Sequence, residues 1–193
     1  MVPLVAVTLG WRFAYGIAAA LAVGAALAVV TFIERPPAIE KPEPPRLVTP
    51  RQSLLIAAVG FGCLAAAAGS LNAWTVSSAV EAGIEPGRAG LLLSAAAGLG
   101  ILVRLVIGVR LDTIRQNPLA IAAGLSSIGA VGLAISSIGT TNTVIVGTLI
   151  AFGGGWVWPV LTNFAIVRAN RAAAAKATGI TQTGVYVLSL IHI

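Results

Sequence analysis

The chain has 193 residues, of which 58% are hydrophobic and only 9% are charged, and its formal net charge is +6. A soluble domain usually carries about 25% charged residues, so this composition excludes an ordinary soluble domain and predicts an all-α integral membrane protein. The positive net charge does not indicate nucleic-acid binding, because that function needs a basic patch on a soluble surface.

Six segments along the chain are apolar and long enough to cross a bilayer, for which a helix needs about 20 residues. The predicted spans are residues 13–33, 52–80, 89–109, 118–136, 143–167 and 177 to the end. The sequence SSIGTTNT at 136–143 separates the fourth span from the fifth and is typical of a turn. We therefore expect about six transmembrane helices.

The segment 34–51 differs from every other part of the chain because it contains six prolines and seven charged residues. Proline interrupts helices, so the composition predicts an extended, solvated linker. The linker divides the chain into residues 1–33, with one span, and residues 52–187, with five spans of which the last is incomplete.

Basic residues are concentrated in alternate loops. The loops 34–51, 110–117 and 168–176 hold nine of the twelve, whereas the opposite loops 75–88 and 137–142 hold only Arg88. Cytoplasmic loops of membrane proteins are enriched in Lys and Arg. This bias predicts a multi-pass protein of a cell membrane, in contact with the lipid bilayer and with the linker in the cytoplasm.

Small residues recur at four-residue spacing within three spans. They are Gly16, Ala20, Gly24 and Ala28 in the first span, Ala58, Gly62, Ala66 and Ser70 in the second, and Gly147, Ala151 and Gly155 in the fifth. Small residues let helices approach closely in lipid, so the stripes predict helix–helix contacts, although an Ala- and Gly-rich chain also produces such spacing by chance.

The sequence lacks the motifs of an enzyme. It has no phosphate-binding loop, no Cys/His cluster and no nucleophile–base pair, so we expect no catalysis, no metal and no cofactor. The single cysteine, Cys63, lies within an apolar run and is expected to be a packing residue.

Polar and aromatic residues deep in the spans are candidates for contact with a small-molecule solute. They are Asn72, Trp74, Trp156, Trp158, Asn163, Thr181, Gln182 and Tyr186. Three glycines and Pro159 in GGGWVWP, 153–159, weaken the fifth helix, and broken helices at membrane depth tend to line cavities. The two tryptophans either contact a solute or narrow a gate on its path. Alternatively, they lie at the membrane interface or pack against the kink.

The cluster RLVIGVRLDTIR, 104–115, is the most charged part of the bundle sequence. Arg104, Gly108 and Asp112 are spaced by four and share one helix face. Arg110 and Arg115 suit a topogenic role, and the long stem of Arg104 also allows its charge to reach the head groups.

Together these features resemble the major facilitator superfamily from its sixth to its eleventh helix. The span opening GWRFAYGI, the proline-rich linker and five further spans follow that order, and GGGWVWPVLTNFAIVRAN and ATGITQTGVYV resemble the tenth and eleventh helices of bacterial members. The family's Gly-x-x-x-Asp-Arg/Lys-x-Gly-Arg loop is matched by Gly108 and Asp112, but Thr113 replaces a basic residue, and Arg115 and Gln116 stand where Gly and Arg are expected.

The resemblance implies a partial helical bundle of a secondary transporter in the bacterial inner membrane, moving a small solute by alternating access. It also implies a cytoplasmic gate loop formed by Arg104, Gly108, Asp112 and Arg115. The alternative is a non-transporting helical scaffold or packing subunit.

Residues 188–193, LSLIHI, correspond to a reading frame of a sequencing-library adapter, so we expect an incomplete chain that is inactive alone. A natural helix end is the alternative for this tail.

Overall fold

The structure is a computed structural model that describes residues 46–113 and 116–190, together with seven separate helical residues between 16 and 31. The side chains of Asp112, Ser189 and Leu190 are not described. Most of the predicted first span, the linker residues 34–45, Arg115 and the end of the tail therefore lie outside the described residues. Residues 1–45 and 46–193 form two separate units, and the account below concerns the second.

All regular structure in the described residues is helical, which confirms the predicted fold class. Six α-helices follow in chain order: α1 Arg51–Glu81, α2 Pro86–Arg110, α3 Pro118–Ser136, α4 Thr141–Gly155, α5 Trp158–Ala169 and α6 Ala174–Leu190. Four candidate membrane spans meet the length and hydropathy needed to cross a bilayer, with α4 and α5 counted together as Thr141–Ala169.

Local sequence signals set the ends of α3 and α4. The Asn117 side chain accepts a hydrogen bond from Leu119 N at 3.0 Å, and Pro118 occupies the first helical turn. Thr140 and Thr143 form a reciprocal capping box at the start of α4. Gly139, between the two helices, has a φ of +78°, a conformation that glycine adopts without steric cost. The predicted turn is therefore confirmed.

Helices α3 and α4 approach each other backbone to backbone. A Cβ added to Gly132 would lie 2.5 Å from Ala151 N, and one added to Gly129 would lie 2.5 Å from the Cα of Gly155. Because no Cβ tolerates such distances, only glycine permits this approach at these two positions. The predicted stripe Gly147, Ala151 and Gly155 lies along this interface.

A second close contact joins α1 to α6. The backbone of Gly184 passes the carbonyl of Ala58, and a Cβ added to Gly62 would meet the carbonyl oxygen of Gly184 at 2.5 Å. Ala58 and Gly62 are buried, whereas Ala66 and Ser70 are only half-buried. The stripe predicted in the second span thus makes its closest contact in its first half.

The fifth span is interrupted where three glycines and a proline predict weakness. Helix α4 ends at Gly155 and α5 begins at Trp158, with Trp156 and Val157 between them. A buried cluster with Leu54 of α1 includes Val157 of the break and Trp158 and Leu161 of α5. This cluster fixes α5 against the bundle, while the break itself borders a cavity.

Candidate solute-facing cavity

A cavity of about 180 Å³ lies beside the break in the fifth span. Helices α1, α2 and α4 contribute its wall, which is mainly apolar and carries one charged and one amide side chain. The lining residues are Asn72, Ala97, Gly100, Ile101, Arg104, Phe152 and Trp156. Three of the residues predicted from sequence, Asn72, Arg104 and Trp156, are therefore brought together here.

The break leaves a backbone carbonyl without its usual helical donor. In a continuous helix the N–H of Val160 would donate to the carbonyl of Trp156, but here it donates to Val157 O at 3.2 Å. Arg104 supplies the missing donor: its Nε–H donates to Trp156 O at 2.7 Å. A broken helix in a membrane needs such a partner because lipid offers none.

The same arginine also lies against the ring of Trp156. Its guanidinium carbon is 4.9 Å from the ring centroid, within the range of a cation–π contact. The carboxyl end of α4 also favours a positive charge, because helix carbonyls point there. Three interactions therefore hold the Arg104 guanidinium at the cavity, although arginine is expensive in a span.

The two tryptophans of the GGGWVWP motif occupy different environments. Trp156 stacks on Phe152, with ring centroids 6.4 Å apart, and lines the cavity. Trp158 is 4% exposed and packs against Phe61 in the buried cluster. The indole nitrogens of both are buried and have no hydrogen-bond partner within the described part of the chain. Only the first tryptophan can contact a cavity ligand.

A second polar pair joins α5 to α6. Gln182 Nε2 donates to Asn163 Oδ1 at 2.9 Å, and both residues are half-buried. Thr181 is fully buried, and its hydroxyl donates to Thr178 O in its own helix at 3.1 Å. These residues do not line the cavity that contains Arg104.

The remaining predicted residues lie away from the cavity. Trp74 and Tyr186 are 65% and 67% exposed in the bundle. Gly108 is exposed, and a Cβ added to it would have no neighbour within 4 Å. The side chain of Asp112 and the whole of Arg115 lie outside the described residues. Among the described members of the predicted gate loop, Arg104 makes a side-chain hydrogen bond, and it does so to Trp156.

Asn170, which the sequence analysis overlooked, is a fully buried polar residue between α5 and α6. Its Oδ1 accepts hydrogen bonds from Val48 N at 3.1 Å and Thr49 N at 3.0 Å. Its Nδ2 donates to Thr49 Oγ1 at 2.9 Å and to Ile166 O at 3.1 Å. One amide thus ties the segment entering α1 to the α5–α6 turn. The available signal was an uncharged amide within a basic loop.

Comparison with known proteins identifies the family of the chain. Residues 1–191 match the family model described as Major Facilitator Superfamily. Neither the curated proteins nor the solved structures give a significant match to the chain. The family match covers nearly all of the sequence, so the chain belongs to the Major Facilitator Superfamily, whose members are multi-pass membrane transporters.

Proposed function

We propose that this chain forms part of a secondary transporter that moves a small solute by alternating access, and that the cavity at Asn72, Arg104 and Trp156 lies on the solute path. The observation that carries the proposal is the broken fifth span beside that cavity. Transporters of this kind place solute sites near interrupted helices at membrane depth.

The chemistry of the cavity supports this function. Ligand sites are mostly apolar and use a few placed polar groups to orient the ligand. Ala97, Ile101 and Phe152 supply apolar wall, and Asn72 and Arg104 supply the polar groups. Helix α4, which lines the cavity, packs closely on α3, and the break separates it from α5. A change at the break would therefore alter the cavity, while the α3–α4 contacts at Gly147 and Ala151 lie further from the break along α4.

The gate loop at Gly108, Asp112 and Arg115 is retained as a proposal that depends on the family motif. In that proposal Asp112 favours one state of a cytoplasmic gate. Arg104 would connect the gate to the cavity, because it lies on the same helix as Gly108 and bonds to Trp156.

We further propose a bacterial inner-membrane location with the 34–51 linker in the cytoplasm. The alternation of basic loops supports this orientation. In a Cys63→Ala background, Ala38→Cys should react with an impermeant maleimide only from the cytoplasmic side. Glu85→Cys, at a position 70% exposed in the α1–α2 turn, should react only from the opposite side. Reaction of both from one side would contradict the orientation.

The transport path is tested by a second pair of cysteines on one helix. Ala97 lines the cavity, whereas Leu102 is 61% exposed on the outside of the bundle. In sealed vesicles that contain the whole transporter of which this chain forms part, with Cys63 replaced by Ala, we expect Ala97→Cys to react with an impermeant maleimide applied from either side, because alternating access opens the cavity to each side in turn. Leu102→Cys should stay unreactive. An Ala97→Cys variant that reacts from neither side, or no faster than Leu102→Cys, would rule out the path.

A further inference from the structure

We propose that the cavity binds a small carboxylate anion, with Arg104 as the anion-binding group, Asn72 as a second donor and Trp156 as an apolar wall. This inference rests on the proposed function, because it names the class of solute that the cavity would carry. It adds a charge requirement that the family match does not provide.

The charge balance around Arg104 favours an anionic ligand. The only ion pair among the described residues joins Arg88 to Glu85 in the exposed turn before α2, so Arg104 has no carboxylate partner in that part of the structure. Asp112 lies eight residues further along the chain, in the 3₁₀ turn that follows α2. A charged side chain within a membrane span pairs with another charge or with backbone carbonyls and often marks a solute path. The Trp156 carbonyl accepts a hydrogen bond from Arg104 but leaves its charge without a counter-ion among the described residues. An anionic solute would provide the missing partner.

The geometry of the Arg104 guanidinium favours a carboxylate. Arginine has five N–H donors in a planar fork, and Trp156 O takes only the one on Nε. The two terminal nitrogens are left with four N–H groups, and this end of the fork matches the two oxygens of a carboxylate. Because the Trp156 carbonyl and ring already hold the guanidinium, little side-chain freedom would be lost on binding.

The rest of the cavity lining also suits a small carboxylate. Asn72 is exposed to the cavity and makes no hydrogen bond within the described residues, so its amide N–H groups remain available to an anion. The walls formed by Ala97, Ile101 and Phe152 are apolar. A cavity of about 180 Å³ with this lining fits a monocarboxylate with a short apolar or aromatic body better than a multiply charged phosphate.

The test uses three probes that share a ring and differ in charge: benzoate, benzamide and benzylammonium. Thermal unfolding of the purified chain in neutral detergent is measured against the concentration of each. Benzoate should raise the midpoint temperature saturably, because a ligand that binds only the folded state stabilises it. Benzamide and benzylammonium should have no comparable effect at the same concentrations.

Four variants locate the binding. Arg104→Gln should abolish the benzoate effect, and Asn72→Ala should weaken apparent binding about tenfold or more, the usual effect of losing a hydrogen bond to a charged group. Ala97→Leu keeps Arg104 and its bond to Trp156 but fills the cavity, so it should also abolish the effect and remains informative if Arg104→Gln does not fold. Arg110→Gln, at the exposed end of the same helix, should respond like the parent chain.

Each contrary outcome has a distinct meaning. Equal protection by benzamide, lost in Ala97→Leu, would keep the solute cavity and overturn the anion inference. Benzoate protection that survives in both Arg104→Gln and Ala97→Leu would place binding elsewhere and also overturn it. Protection by added phosphatidylglycerol but not by benzoate would make Arg104 a lipid head-group site, and no protection by benzoate would likewise refute the inference. The cysteine labelling of Ala97 tests the transport path independently of these results.

Discussion

Helix α4 has two faces that are built in opposite ways. Towards α3 it presents Gly147 and Gly154, and the two backbones touch. Towards α2 it presents Phe152 and Trp156, and a cavity remains that one arginine partly spans. In lipid, where burying apolar side chains gives helices little reason to associate, close backbone packing provides the adhesion. Helix α4 is therefore held by its glycine face, which leaves its aromatic face available for a ligand.

The largest loss of stability should come from adding a bulky side chain to the glycine face of α4. In Gly147→Val, the new Cβ would lie 2.5 Å from Gly132 O and close to the Ser136 side chain, so the helices must separate. We expect a loss of about 3 kcal/mol in unfolding free energy, at the upper end for overpacking, measured by thermal or denaturant unfolding in detergent.

Gly124→Ala is the matched control on α3, since its Cβ would meet nothing within 4 Å. It should be neutral or slightly stabilising, because alanine favours helix over glycine by up to about 1 kcal/mol. Similar losses in Gly147→Val and Gly124→Ala would mean that the glycine face does not hold α4.

A smaller loss of stability is expected when Asn170 is replaced. This residue links the segment before α1 to the α5–α6 turn and belongs to neither face of α4. Asn170→Ala removes four hydrogen bonds and strands two backbone N–H groups, so we expect about 2 kcal/mol. Hydrogen exchange at Val48 and Thr49 should accelerate.

Asn170→Asp tests the acceptor oxygen of Asn170 separately from its donor nitrogen. A carboxylate keeps the acceptor for Val48 N and Thr49 N but loses the donor to Ile166 O. Exchange at the two amides should therefore stay slow while stability falls. Equally fast exchange in Asn170→Ala and Asn170→Asp would show that the acceptor is not what orders this segment.

On the cavity face, Arg104→Met should cost only about 1 kcal/mol. The Trp156 carbonyl loses its charge-assisted bond, but the chain no longer keeps a cation within a span, and the two effects offset each other. Arg110→Met, at an exposed position, should change stability by no more than about 0.5 kcal/mol. A loss as large as that of Gly147→Val would mean that the cavity face also holds the bundle together.

The smallest effect should come from the Asn163–Gln182 pair. A double-mutant cycle with Asn163→Ala and Gln182→Ala should give a coupling of about 0.6 kcal/mol, the average for hydrogen bonds between membrane helices. A coupling near zero would indicate that the two amides are not bonded to each other in the bilayer.

The sequence was sufficient for the second to fifth spans, the 136–143 turn and the break in the fifth helix, because each follows from local composition. The first predicted span lies mostly outside the described residues, and the 17-residue α6 is not among the candidate spans. It also named Asn72 and Trp156 as candidate solute contacts, since polar and aromatic groups are conspicuous in apolar spans, whereas it placed Arg104, which lines the same cavity, in the gate loop. It did not predict that Arg104 bonds to Trp156, 52 residues away, because nothing in a single span specifies which neighbour it faces. Asn170 was missed for a related reason: its partners precede α1, and a basic loop gives no sign of a buried amide.

The Asn170 contact also sets an order of events during synthesis. Thr49 leaves the ribosome 121 residues before the side chain that will accept its N–H, a delay of roughly 6–24 s at usual elongation rates. During that interval α1 to α5 can enter the membrane while the segment before α1 stays untethered. Slow exchange at Thr49 would therefore mark molecules in which α5 and its following turn have reached their place, which makes this single amide a reporter of completed assembly.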